Sequence, residues 1–320
     1  MKIAILGAGA LAIALAKLIE DDGHEVFMWT KFEEEKATLI KHRENIKLFP
    51  GVKLNENVKV TCDIGEAISN ACVIINVLPF IAIKDTIDIM KDFYNKSQVI
   101  ISTTKGIDEN EFITTTDLFE EYLKATKIAA LSGPSFAIEI ANKENISFML
   151  GTKDKEVIEI SKKILSKPSI KIEVTDDIKG IQLAGGIKNA IAVGSGMLYG
   201  MEAADSTKAA YLATGMADMS HLLVALGGKK ETAYSYAGIG DLILTCTSHT
   251  SRNFSFGYYL GEGYTVDEAF EKMNNKTVEG YKVIRALHKY VKEKNIKTYM
   301  IDTLYKIIFE NGNVEDIKKV

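Results

Sequence analysis

Residues 1–29, MKIAILGAGALAIALAKLIEDDGHEVFMW, decide the fold. A single early Lys, an apolar run to Ala16 and the triplet Ala14-Leu15-Ala16 satisfy the rules for a secretory leader. The same letters also spell a strand over Lys2–Leu6, a turn at Gly7-Ala8-Gly9 and a helix from Ala10. The residues after Ala16 separate the two readings. The helical pattern continues through Lys17-Leu18-Ile19-Glu20, stops at Asp22-Gly23, and gives way to a second strand over His24–Trp29. This is a βαβ unit of about thirty residues, the context that a dinucleotide fingerprint requires. In it Gly7 makes the tight turn, Gly9 lets the backbone approach a pyrophosphate, and Ala12 in place of a third glycine still permits close helix packing. The free N–H groups of the helix start face the phosphates. The segment is therefore expected to remain on the mature protein.

The chain has 320 residues, 47% hydrophobic and 26% charged, enough for two domains with large cores. Cys62, Cys72 and Cys246 are the three cysteines, with no CxxC spacing, which suggests neither a disulfide framework nor a zinc site and fits a cytoplasmic protein. His42, His221, His249 and His288 have no partner at ligand spacing, so no metal is expected. A net charge of -4 gives no sign of a nucleic-acid partner. The longest uncharged run, Ala67 to Ile83, contains Ser69, Asn70, Asn76 and Pro79 and does not suit membrane insertion.

Short apolar runs at Val58–Thr61, Cys72–Leu78, Gln98–Ser102 and Lys127–Leu131 alternate with helical stretches at Ile81–Phe93 and Glu111–Lys124. Two further strands, Ser147–Gly151 and Ile170–Val174, flank a helix over Lys155–Leu165. Such alternation predicts an α/β domain with a parallel, doubly wound Rossmann sheet over residues 1–176. From Asp177 the pattern becomes helical, through Leu183–Tyr199, Ser206–Leu226 and Val278–Lys292. An all-α domain is expected over residues 177–320.

Several short words carry a family resemblance. Thr104-Lys105-Gly106-Ile107, Leu131-Ser132-Gly133-Pro134-Ser135-Phe136-Ala137, Gly185-Gly186-Ile187-Lys188-Asn189, Thr207-Lys208-Ala209-Ala210, Gly238-Ile239-Gly240-Asp241-Leu242, Ser251-Arg252-Asn253 and Val278-Glu279-Gly280 occur in this order along the chain. So do Arg43-Glu44-Asn45 and Phe49-Pro50-Gly51, nearer the start. Together they resemble the NAD(P)-dependent glycerol-3-phosphate dehydrogenases of bacterial type. The resemblance implies a Rossmann domain joined to a helical domain of the 6-phosphogluconate-dehydrogenase-like kind. It also implies interconversion of dihydroxyacetone phosphate and sn-glycerol 3-phosphate, for glycerophospholipid synthesis. Gly133 and Ser135 would then meet the substrate, and Ala10, Leu11, Ala137, Thr277 and Glu279 the coenzyme, with Lys105 and Arg252 serving both. A homodimer stays open.

The residues support that chemistry independently. Reducing a ketone requires a proton donor at the developing alkoxide, and a partly buried Lys suits because desolvation lowers its pKa. Lys188 is the only charge between Lys179 and Glu202, on a helix lined by Gly185, Gly186, Ala190 and Ala192, small enough to admit a ligand. Alone it would equally be a lysine snorkelling from an apolar helix. Asp241 and Thr245, four residues apart, share a helix face and could hold its ammonium. Arg252 offers a planar fork for a phosphate, with Ser251 and Asn253 beside it. Lys105 and Ser135 follow strand ends, at the edge where doubly wound folds bind ligands. The second strand ends in Thr30-Lys31, with acids only from Glu33, a pattern favouring NADPH while leaving NADH open should Glu33 fold back. Three departures stand against the resemblance: Ala10-Leu11-Ala12 for Ser-Trp-Gly, Tyr199 for an acid, and Ser206 for an Asn. They keep alive a sister ketone reductase or a non-catalytic nucleotide sensor.

Overall fold

Ile3, Ala4, Ile5 and Leu6 are wholly buried, which marks a strand covered on both faces rather than at a sheet edge. The computed structural model describes residues 1–105, 107–108 and 112–320. Gly106 and Glu111, which the sequence places in a motif and at a helix start, lie outside the described residues. The chain divides into two compact units, Met1–Thr104 with Ile113–Ile178, and Lys105–Phe112 with Lys179–Val320. Among the described residues no helix is long and apolar enough to cross a membrane.

The first unit is built on strands β1 (Lys2–Leu6), β2 (Glu25–Trp29), β3 (Lys59–Thr61), β4 (Val73–Asn76), β5 (Val99–Ser102), β6 (Ile128–Ser132), β7 (Ile146–Gly151) and β8 (Ile170–Thr175). They form one sheet in the order β3-β2-β1-β4-β5-β6-β7-β8. Its helices are α1 (Ala10–Glu20), α2 (Glu33–His42), α3 (Ile64–Ile68), α4 (Ile83–Met90), α5 (Thr115–Leu123), α6 (Ala137–Ala141) and α7 (Lys155–Leu165). Alternation along β1 feeds two cores. Ile3 and Ile5 pack with α1, α6 and α7, while Ala4 and Leu6 pack with α3, α4 and α5. Order reverses between β1 and β4, and ligands of such sheets bind at the carboxyl ends flanking that reversal.

The sheet is not parallel throughout, contrary to the pattern expected from alternation. β6 and β7 pair antiparallel, with Leu131 opposite Leu150, and β8 follows β7 in parallel. The cause is the connection. Between them the chain makes a single short helix, α6, and β7 starts from the edge where β6 ends.

The second unit surrounds one helix. α8 (Ile178–Gly200) is buried continuously from Gly180 to Leu198. Around it lie α9 (Asp205–Ala225), α10 (Asp241–Cys246), α11 (Arg252–Gly261), α12 (Val266–Lys272), α13 (Glu279–Glu293) and α14 (Ile301–Phe309). Glycines let α8 and α11 touch backbone to backbone. A Cβ at Gly196 would strike the Phe254 carbonyl, and one at Gly257 the Val193 carbonyl, so the approach is reciprocal. Ile107 and Phe112, from the early segment grouped with this unit, are buried in its core.

Candidate functional site

Asp241 starts α10 with 2% exposure and divides its carboxylate between two ammonium groups. Oδ2 accepts from Lys105 Nζ at 2.6 Å and Oδ1 from Lys188 Nζ at 2.6 Å. Lys188 also donates to Thr245 Oγ1 at 2.7 Å, while that hydroxyl donates to the main-chain carbonyl of Asp241 at 2.6 Å. Asp241 is delivered by a wide turn, Tyr236–Gly240, in which a Cβ at Gly238 would strike the carbonyls of Thr232 and Ala233. That explains the first glycine of its motif. The paired glycines of α8 have a different use from the one expected. The space beside Gly185 is filled by the stem of Lys105, which a Cβ there would meet at 3.1 Å, so it seats a lysine and not a ligand.

Two ammonium groups against one carboxylate leave this buried cluster with a surplus positive charge. Burial is the main force on Lys188 and takes it down to about 8, with the Lys105 charge adding to it and Asp241 opposing it. Burial alone would raise the Asp241 carboxyl, but the two lysines outweigh it and hold the group below the usual carboxylate range. Lys188 can therefore give or take a proton near neutral pH, with Asp241 ionised.

A polar chain runs from this cluster toward Arg252. Asn189, next to Lys188, donates to Glu279 Oε2 at 2.9 Å, and the neighbouring Gly280 N–H donates to Asn253 Oδ1 at 2.8 Å. These ties fix the starts of α13 and α11 against α8. The Asn189–Glu279 pair escaped the sequence reading, because no local spacing links residues so far apart. Ser251 caps α11 by accepting from Phe254 N at 3.3 Å. With Asn253 Oδ1 engaged, its amide N–H groups remain as donors for an oxyanion. Arg252 follows the cap and is exposed. Thr277, also exposed, precedes α13. Tyr199 meets Phe254 edge-on at 5.1 Å and lies under Lys208 at 4.4 Å, so it has a packing role on α11. Ser206 lies in the first turn of α9.

The remaining candidates belong to the first unit. Gly7 has φ +121, a conformation for glycine, and its N–H donates to Trp29 O at 2.8 Å. Gly9 caps α1, and a Cβ on it would meet nothing within 4 Å, so there is open room before the helix start. Ala12 is fully buried against the sheet, with Ala10 and Leu11 packed partly on the same core. This arrangement fits a dinucleotide, whose pyrophosphate would lie on those N–H groups. Asn45 locks the turn by donating to Ala8 O at 3.0 Å and to Glu35 Oε1 at 3.1 Å. Thr30 donates its hydroxyl to Glu35, whereas Glu33 turns to Lys36 at 3.2 Å. The acid that meets the end of β2 is thus Glu35, in the first turn of α2, and Glu33 does not fold back to it. Lys31 is exposed and lines a cavity of about 700 Å³ with Lys47 and the three acids. At the end of β6, Gly133 lies so close to β7 that a Cβ would strike the Ser147 carbonyl. Ser135 Oγ donates to Gly133 O at 3.4 Å, and Ala137 opens α6.

Comparison with known proteins agrees with both halves of this description. Residues 2–158 match the N-terminal domain, and residues 177–319 the C-terminal domain, of NAD-dependent glycerol-3-phosphate dehydrogenase. The chain is 34% identical over 318 residues to glycerol-3-phosphate dehydrogenase [NAD(P)+] of Fusobacterium nucleatum, covering 99% of this chain and 95% of that one. It is 33% identical over 321 residues to the enzyme of that name from Staphylococcus haemolyticus, covering 99% and 96%. The crystal structure of glycerol-3-phosphate dehydrogenase from Coxiella burnetii superposes with a TM-score of 0.92 at 27% identity, over 99% of this chain and 97% of that one. With the dinucleotide turn, the buried lysine pair and these matches across both units, the chain belongs to the NAD-dependent glycerol-3-phosphate dehydrogenase family.

Proposed function

We propose that the protein interconverts dihydroxyacetone phosphate and sn-glycerol 3-phosphate, with Lys188 moving the proton and Arg252 holding the phosphate. The observation that carries the mechanism is the buried Lys105–Asp241–Lys188 cluster. Gly7, Gly9 and the start of α1 would hold the nicotinamide coenzyme, which would supply or take the hydride at the carbonyl carbon. As negative charge grows on the ketone oxygen, Lys188 donates its proton there and becomes a neutral amine. In the reverse direction the neutral amine accepts the hydroxyl proton. Asp241 and Thr245 aim the nitrogen, and Lys105 keeps a positive charge next to the developing alkoxide throughout.

In this reading residues 1–176 form the coenzyme domain and 177–320 the substrate domain, with Lys105 serving the latter from the earlier segment. Gly133, Ser135, Ser251 and Asn253 contribute to substrate binding, and Ala137, Thr277 and Glu279 to coenzyme binding. Both coenzymes are used. Lys31 favours NADPH, and the carboxylate of Glu35 at the end of β2 tempers that preference. In the same reading the enzyme is cytoplasmic and supplies glycerophospholipid synthesis, and a homodimer stays open.

The test is NADPH oxidation by the purified protein with dihydroxyacetone phosphate beside a panel of other small ketones. Lys188→Ala should lower turnover about a hundredfold or more while NADPH still binds, since the lost group acts in the transition state. Near-normal turnover in that variant would overturn the assignment.

A further inference from the structure

Arg252 lines a second, smaller cavity of about 220 Å³, and the other charges around it have no role in the proton transfer at Lys188. Lys272 reaches it from the end of α12 and Lys276 from the connection to α13. The connection is shaped to bring them there. Asn274 and Asn275 are both left-handed, with φ of 53 and 52, and the turn is closed by Asn275 N–H to Phe270 O at 2.8 Å. Asn accepts that conformation more readily than most residues do. His249, Thr250 and Ser255 complete the polar wall, and no carboxylate lines the cavity.

Among the described residues no ion pair joins Arg252, Lys272 or Lys276 to an acid. Glu268, one turn before Lys272, accepts from the Thr265 hydroxyl at 2.8 Å and acts on Lys272 through space without a direct ion pair. The Lys272 ammonium lies over the Tyr264 ring, 4.8 Å from its centre, which holds the charge at this end of α12. Three cationic residues from three segments thus line one small space whose wall holds no carboxylate, and only Lys272 has an acid, Glu268, acting on its charge among the described residues.

We propose that Lys276 and Lys272 join Arg252 in a three-cation cradle that selects the doubly charged phosphate monoester group of the substrate over singly charged anions. One guanidinium balances one charge, whereas a phosphate monoester carries about -1.5 to -2 near pH 7. Arg252 provides the planar fork, and the lysines, as compact point charges, provide the remainder. The inference rests on the reading of Arg252 as phosphate anchor and extends it to residues without an assigned part in the reaction.

The full-length enzyme tests it. Lys276→Gln should raise the KM for dihydroxyacetone phosphate about fivefold with little change in kcat, and Lys272→Gln should act in the same direction but less, as expected for solvent-exposed charges. Lys276→Arg should restore the KM. The penalty should vanish with dihydroxyacetone, which has no phosphate. Inorganic phosphate at pH 8, titrated calorimetrically at fixed ionic strength, should bind the wild type more tightly than acetate does, and Lys276→Gln should erase that preference. Lys289→Gln, on the exposed face of α13, controls for net charge, and an equal effect there would overturn the cradle. If both lysine variants keep the wild-type KM while Arg252→Ala raises it, the cradle fails and the anchor stands. If Arg252→Ala leaves the KM for the phosphorylated ketone unchanged, the phosphate reading itself falls.

Discussion

Lys188 is tuned by Lys105, which lowers it, against Asp241 and Glu279, which raise it, so its titration can be moved either way. Reduction needs the ammonium and oxidation the neutral amine. With a value of about 8, the reductive rate should hold below that pH and fall above it, and the oxidative rate should rise through it. Lys105→Met removes a neighbour that lowers the Lys188 value, so the reductive limb should shift to higher pH. Asp241→Asn removes one that raises it, and the limb should shift to lower pH. Steady-state profiles of residual activity check both signs, and shifts in the same direction would contradict the electrostatic account. A parallel pair exists at the coenzyme end. Lys31→Glu should weaken NADPH relative to NADH by about tenfold, the scale of one charged hydrogen bond, and Glu35→Gln should favour NADPH, both read as dissociation constants by fluorescence titration. The contact of Lys188 with Asp241 and Thr245 was legible only in part, since a lone charge in an apolar helix and a four-residue spacing are local signals that the motifs around them, and not the signals themselves, singled out. Glu35 was not legible. Its role depends on a contact with Thr30 that strand and helix bring about only after folding.

At the scale of elements, two glycines that look alike in the sequence carry opposite obligations. Gly257 lies against the Val193 carbonyl, and a methyl group there has nowhere to go, so Gly257→Ala should cost about 3 kcal/mol in urea unfolding, with a lower transition midpoint. Gly9 faces open space and has an ordinary φ of -76. Gly9→Ala should fold as well as the wild type, yet bind coenzyme markedly less well, because the methyl stands where the pyrophosphate approaches. Equal destabilisation of the two variants would sink this distinction. Buried strands were readable as continuous apolar runs, and β1 and α7 have the expected limits. α2 has no such signal, since its sequence is charged and only Leu39 is buried. The reversal at β7 was hidden because strand direction depends on the path of the connection and not on the strand's own residues.

For the molecule as a whole, chain order and spatial grouping part company at Lys105–Phe112, which precedes α5 in sequence but is grouped with the helical unit. Ile107→Ala and Phe112→Ala should therefore each destabilise the helical unit by about 2 to 5 kcal/mol, the usual loss for large buried side chains. Hydrogen exchange should quicken along α8 and stay slow along β1; the reverse pattern would place these side chains in the wrong core. The sequence signalled a change of character near residue 177, but not the early segment's allegiance, because eight residues are too few to show a period. The crossing of α8 and α11 has one more consequence. Lys188 rides on the first helix and Arg252 on the second, and where the helices meet, main chain rests on main chain, with no side chain between them to change rotamer. The crossing works as a ruler without a sliding part. A ketone with one additional methylene between carbonyl and phosphate asks that ruler to lengthen, and its kcat/KM should be lower by roughly tenfold or more.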